Sequence, residues 1–145
     1  MKINLKIIAE LQEIMVNIMA PSVTEEVENL IDYIENNEET IVGYEKNTRV
    51  KIIKKVDVVR IYIEDKKIYA ETKEETYQLK NRLYQLEESM DDNFIKISQS
   101  ELANIKFIDK LDVSMKGTIL INYKNGSSSY VSRRQLKVFK EKLKI

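Results

Sequence analysis

F-I-K-I-S-Q-S-E-L-A-N-I, running from Phe94 to Ile105, is the stretch on which the reading of the whole chain turns. Phe94 to Ile97, F-I-K-I, reads as a short extended piece. Ser98-Gln99-Ser100 follows as a polar loop, Glu101 to Asn104 reads as a turn, and Ile105 to Leu111 as a further strand. The loop carries the chemistry of a nucleic-acid contact. A glutamine amide can bond an adenine edge through two hydrogen bonds, while serine hydroxyls and exposed backbone amides are typical phosphate partners. Gln99 is therefore the candidate reader of sequence. Asn104 reads as structural, a side chain tying down its own loop.

Downstream, Thr118 to Tyr123 forms a strand, and Asn125-Gly126 predicts a type I′ turn that returns the chain into Ser128 to Val131, because both residues tolerate φ > 0. Ser132 then caps a final helix with Leu136, Phe139 and Leu143 on one face and Arg133 and Arg134 in its first turn, where the helix dipole also draws phosphate. Lys137, Lys140, Lys142 and Lys144 form a solvated face that acts through its field.

Upstream, Ile41–Tyr44, Val50–Ile53, Val58–Ile63, Ile68–Thr72 and Thr76–Tyr77 read as short strands rich in Ile, Val, Thr and Tyr. Glu64-Asp65-Lys66-Lys67 is a charged hairpin turn between two of them, and Leu79, Leu83 and Leu86 predict a helix from about Lys80 to Met90. Residues 1–38 form a separate extension. Lys2 to Ile8 and Glu13 to Met19 are candidate strands. Val23, Val27, Leu30, Ile31 and Ile34 then recur at helical spacing after Pro21, with Ser22 or Thr24 as the cap and Ser22 with Glu25 fitting a capping box.

Composition narrows the chemistry. The 145 residues contain neither Cys nor His, which excludes disulfides and thiolate metal sites and removes the commonest general base and transition-metal ligand. No apolar run approaches the roughly 20 residues needed to span a bilayer, so a cytoplasmic protein is expected. The formal net charge of zero conceals a polarity. Residues 94–145 hold 11 Lys and Arg against 4 Asp and Glu, a balance of +7, and residues 1–93 carry the opposite −7. A basic half in a neutral chain marks a localised phosphate-facing surface.

The Phe94–Ile105 stretch resembles the signature of the LytTR family of DNA-binding domains. Two further blocks match in order: V-V-R-I-Y-I-E, Val58 to Glu64, and N-G-S-S-S-Y-V-S-R-R, Asn125 to Arg134. The resemblance covers residues 39–145. It implies an α+β domain, predominantly antiparallel β with a C-terminal helix, that inserts loops into DNA major grooves. Ahead of it would stand the small strand-strand-helix extension, residues 1–38, as a dimerisation or regulatory segment. Carried over by position, the implied DNA-binding residues are Lys96, Ser98, Gln99, Ser100, Arg133 and Arg134, with Lys66 and Lys67 in the place of a third contacting loop. The family often has Arg where Lys96 stands, His for Ser98, Arg for Gln99 and Val for Ala103, so the target sequence is this chain's own.

The expected function is thus a bacterial, receiver-less transcription regulator. Its expected partners are double-stranded DNA, a second copy of itself and a regulatory protein, including a membrane-bound one. No enzyme activity, cofactor, metal or small-molecule substrate is expected. Glu25-Glu26, Glu74-Glu75 and Asp91-Asp92 are acidic pairs with ordinary explanations at a helix start, a strand turn and a polar link. The competing reading is a protein-interaction module with a LytTR-like fold and no DNA affinity.

Overall fold

The computed structural model describes residues 1–36, 40–46 and 48–145. The chain divides into two compact units, Met1–Glu38 and Glu39–Ile145.

In the first unit the predicted helix is present as α1, Glu25–Asn36, with Glu25, Glu26 and Glu28 in the first turn where the dipole favours them. Thr24, not Ser22, is the cap. Its Oγ1 accepts from Val27 N at 3.4 Å, and its carbonyl accepts from Glu28 N at 3.0 Å. The two strands expected at Lys2–Ile8 and Glu13–Met19 do not form; both segments run without strand pairing. Two short strands make at best a marginal hairpin, and a unit of this size lacks the core to hold one.

Among the described residues the second unit holds ten antiparallel strands in two sheets. In the first sheet, of seven strands, the order is β2-β1-β5-β4-β3-β7-β6. Its members are β1 (Thr40–Glu45), β2 (Arg49–Lys54), β3 (Val58–Glu64), β4 (Lys67–Thr72), β5 (Thr76–Leu79), β6 (Phe94–Ser98) and β7 (Glu101–Asn104). Between β5 and β6 lies α2, Leu83–Ser89, shorter at its start than predicted. The second sheet is β10-β9-β8, with β8 Ile108–Asp112, β9 Ile119–Tyr123 and β10 Ser128–Val131, and the chain ends in α3, Leu136–Leu143.

Two cores lie on opposite faces of the large sheet. Ile61, Ala70, Leu79 and Leu102 pack with Leu83, Leu86 and Met90 from α2 and its end. Val59, Ile95, Ile97 and Ala103 pack with Ile119, Ile121, Val131 and Phe139 from the small sheet and α3. Strand β3 serves both cores because its register slips between Val58 and Arg60. The bulge inserts one residue and changes which side chains face each side.

Several local expectations are corrected. Glu101–Asn104 is a wholly buried strand rather than a turn. Its hydrophobic pair Leu102 and Ala103 faces two cores, so the alternation that marks a half-exposed strand is missing. Ile105–Phe107 is a 3-10 turn that precedes β8, and Asn104 caps it by accepting from Lys106 N at 3.0 Å while donating to Val58 O at 2.8 Å. The Asn125-Gly126 hairpin forms, but not as type I′. Gly126 alone has positive φ (93°), Gly126 N donates to Tyr123 O at 3.0 Å, and Tyr123 N donates to Ser127 O at 2.9 Å. That is a three-residue loop with glycine at its left-handed position.

Candidate nucleic-acid interface

The sequence-predicted contacts other than Lys96 converge on one end of the large sheet because its strands reverse there. Asp65 and Lys66 both have positive φ, 49° and 65°, while Glu64 and Lys67 pair across the strands. This is a two-residue I′ turn made without glycine. It lifts Lys66 and Lys67 into solvent. Behind it Tyr62 and Tyr69 stack with ring centroids 5.7 Å apart, and the Arg60 guanidinium lies 4.4 Å from the Tyr62 ring, which stiffens the hairpin that carries the turn.

The neighbouring turn joins β6 to β7. Ser98 Oγ accepts from Ser100 N at 3.2 Å and lies 3.2 Å from Ser100 Oγ, so the two serines fix the loop while the Gln99 side chain stands exposed between them. The two turns are tied together by Ile63 N, which donates to Ser100 O at 2.9 Å.

The third element is joined to the second. Ser132 N donates to Ile97 O at 2.8 Å, which sets Arg133 and Arg134 beside the serine loop. These arginines occupy a 3-10 turn, Arg133–Gln135, ahead of α3 rather than the first turn of the α-helix. Ser132 holds Gln135 N through its carbonyl at 3.0 Å, and its side chain makes no capping bond. Both arginines are exposed.

Lys96 stands apart from this group. It faces the α2 side of the sheet opposite Leu102, and its ammonium lies 3.9 Å from Glu87 of α2. The β8–β9 loop, not singled out in the sequence, joins the same end. Gly117 has φ of 80°, and a side chain there would begin 3.4 Å from Arg133 Nε, so the loop packs along that arginine and presents exposed Lys116 beside it. A Lys-Gly pair after a strand was the available signal.

Next to the serine loop, through Glu101, a polar cluster locks the two sheets together. Arg60 bonds Glu71 through Nε at 3.0 Å and Glu101 through Nη1 at 2.7 Å, and it also donates to Ser129 Oγ at 3.2 Å. Glu71 accepts further bonds from Ser127 Oγ at 2.6 Å and Asn125 Nδ2 at 3.3 Å, so the β9–β10 hairpin is tied to β4. Burial alone would raise the Glu71 carboxyl, but Arg60, Ser127 and Asn125 together hold it below its ordinary value. Glu101 is more deeply buried, and there desolvation prevails over Ser129 and Arg60 and raises it. Among the described residues no group of three acidic side chains is placed to hold a metal ion.

A strand-built domain with three basic or polar turns at one end matches the LytTr DNA-binding domain family, whose model aligns with residues 48–144. The chain belongs to the LytTR family. A LytTr DNA-binding domain from Bacillus cereus superposes with a TM-score of 0.71 at 22% identity, over 74% of this chain and 99% of that one, and shares the fold. Proteins of Staphylococcus aureus strains MSSA476 and MW2, both named as HTH-type transcriptional regulators, are 36% identical over 147 residues, which covers 100% of this chain and 99% of each relative. Their name describes paired helices. In this LytTR domain α2 and α3 are separated by five strands, and two of the three exposed turns join strands of the large sheet, the third leading into α3.

Proposed function

We propose that this chain is a transcription regulator that reads double-stranded DNA by placing the Lys66-Lys67 turn, the Ser98–Ser100 loop and the Arg133-Arg134 turn against successive major-groove and phosphate positions. The observation that carries it is the pair of backbone bonds, Ile63 to Ser100 and Ser132 to Ile97, which hold the three turns side by side. Gln99 supplies base discrimination, and the serines, lysines and arginines supply register and electrostatic affinity. Two copies would occupy two half-sites, residues 1–38 acting as the dimerisation or regulatory segment, and a regulatory protein partner would set the activity. Among the described residues no helix is long and apolar enough to cross a membrane. A chromosomal partner places the work in the cytoplasm.

The test is a fluorescence-anisotropy titration against a genomic fragment library and the DNA upstream of the chain's own gene. Wild type should bind tightly and lose affinity steeply with salt. Arg133→Ala/Arg134→Ala should abolish this, whereas Gln99→Ala should keep affinity for random DNA and lose about 1–3 kcal/mol of discrimination at one base pair. A folded protein that ignores DNA at low salt would instead establish an interaction module.

A further inference from the structure

Residues 1–24 carry more exposed apolar surface than a lone chain has reason to keep. Ile3, Leu5 and Ile7 are 86%, 85% and 81% exposed, and Ile14 is 95% exposed, with Met15, Val16 and Met19 also open. Among the described residues of the first unit none is buried; Val23, just ahead of α1, and Ile31 and Ile34 within it are open. The backbone is equally unsatisfied. Among the described residues the only backbone hydrogen bond before α1 begins is Leu11 N to Ile8 O at 3.2 Å, a turn with Ala9-Glu10 at its centre.

We propose that the segment from Lys2 to Met19 is a dimerisation arm, which pairs with the same segment of a second copy to form a four-stranded antiparallel sheet covered by the two α1 helices. This deepens the two-copy part of the functional reading, while its physical basis is independent of DNA. The turn at Ile8–Leu11 fixes the register within one copy. Lys6 then opposes Glu13, Leu5 opposes Ile14 and Ile3 opposes Val16, which gives a cross-strand ion pair on one face and two apolar pairs on the other, with Gln12 opposite Ile7 at the end next to the turn.

The same pattern is self-complementary. Ile3 and Ile7 are symmetric about Leu5, so a two-fold axis at Leu5 sets Leu5 against its own counterpart and Ile3 against Ile7 of the second copy. On the polar face Asn4 then meets Lys6, and no lysine faces a lysine. The order becomes Glu13–Met19, Lys2–Ile8, then the same two strands reversed in the second copy. One copy offers two strands, below the three or more that a stable sheet needs, and its unit of 38 residues falls under the ~40 that usually fold without help. Doubling removes both shortfalls and supplies the cover for Val27, Leu30, Ile31 and Ile34.

The chain has no cysteine, so a single introduced thiol has only its counterpart to meet. Directly opposed residues in an antiparallel pair have Cα atoms about 4.5–5.5 Å apart, within disulfide reach. Full-length Leu5→Cys should oxidise to a covalent dimer, whereas Val56→Cys, exposed in the second unit, should not. Sedimentation of wild type should give twice the chain mass, and Leu5→Asp/Val16→Asp should halve it without changing the unfolding transition of residues 39–145. Monomeric wild type at micromolar concentration, a Leu5→Asp/Val16→Asp variant that stays dimeric, or equal cross-linking of the two cysteine variants would overturn the proposal. Anisotropy on the same samples separates the two ideas: a monomer that binds DNA sinks only the arm, and a dimer that ignores DNA sinks only the regulator.

Discussion

Lys66 sits in the left-handed region at φ of 65°, next to Asp65 at 49°, in a turn where Asn-Gly would be the unstrained choice. Left-handed backbone costs a residue with a Cβ roughly 1–2 kcal/mol. The strain is worth tolerating only if the side chain is needed, and an exposed ammonium at the tip of a hairpin beside the Gln99 loop has an evident use. Lys66→Gly should therefore raise stability by about 1 kcal/mol in urea unfolding while weakening DNA binding. A variant that is stabilised with unchanged affinity would show that Lys66 touches nothing. Gln99 lies at the opposite extreme, in a loop fixed by its two serine neighbours, so its substitution should leave stability untouched and alter discrimination alone.

At the scale of elements, the two sheets are joined through Arg60 and its two carboxylates, and these respond to pH in opposite senses. The Glu71 carboxyl is lowered on folding, so its contribution is present above its unfolded value and is lost as pH falls through the folded one. The Glu101 carboxyl is raised, so its contribution is full below its unfolded value and fades as pH rises through the folded one. Glu71→Gln should accordingly be the costlier change at pH 7 and should flatten the loss of stability below the ordinary carboxylate range. Glu101→Gln keeps one acceptor oxygen for Arg60 without a buried charge, and should be milder; chemical unfolding at neutral and acid pH checks both. A larger loss from Glu101→Gln would reverse the assignment. None of this was legible in the sequence, because Arg60, Glu71, Glu101 and Ser129 meet only when four strands assemble. Elements with a local signature were legible: β1 to β5, both hairpins and α3 follow from period-2 runs, turn residues and helical spacing. Strand β7 was missed because all four of its residues are buried and its pattern does not alternate. The strands expected at Lys2–Ile8 and Glu13–Met19 rested on apolar residues at alternate positions, yet neither segment pairs with another strand, and two strands alone are too few to hold a sheet.

For the molecule as a whole, the +7 balance of residues 94–145 against −7 in residues 1–93 is resolved by where the charges stand. Lys66 and Lys67 belong to the acidic stretch of sequence, yet the fold brings their turn beside the serine loop, and so next to Arg133 and Arg134. With Lys116 they make five exposed cations at one end of the domain. If each neutralises one phosphate, the logarithm of the binding constant should fall with the logarithm of salt at a slope of about −4.5, since each contact releases roughly 0.9 of a counterion. Lys67→Ala should flatten that slope by about 0.9 on any DNA sequence. Gln99→Ala should not change it, because a neutral amide releases no counterion. Two domains joined through their arms should double the slope on a two-site duplex, and Leu5→Asp/Val16→Asp should return it to the single-domain value. Isothermal titrations between about 50 and 200 mM salt, the range over which such contacts weaken binding most visibly, measure all five quantities. A slope near zero in wild type would mean that this basic end meets something other than a phosphate backbone.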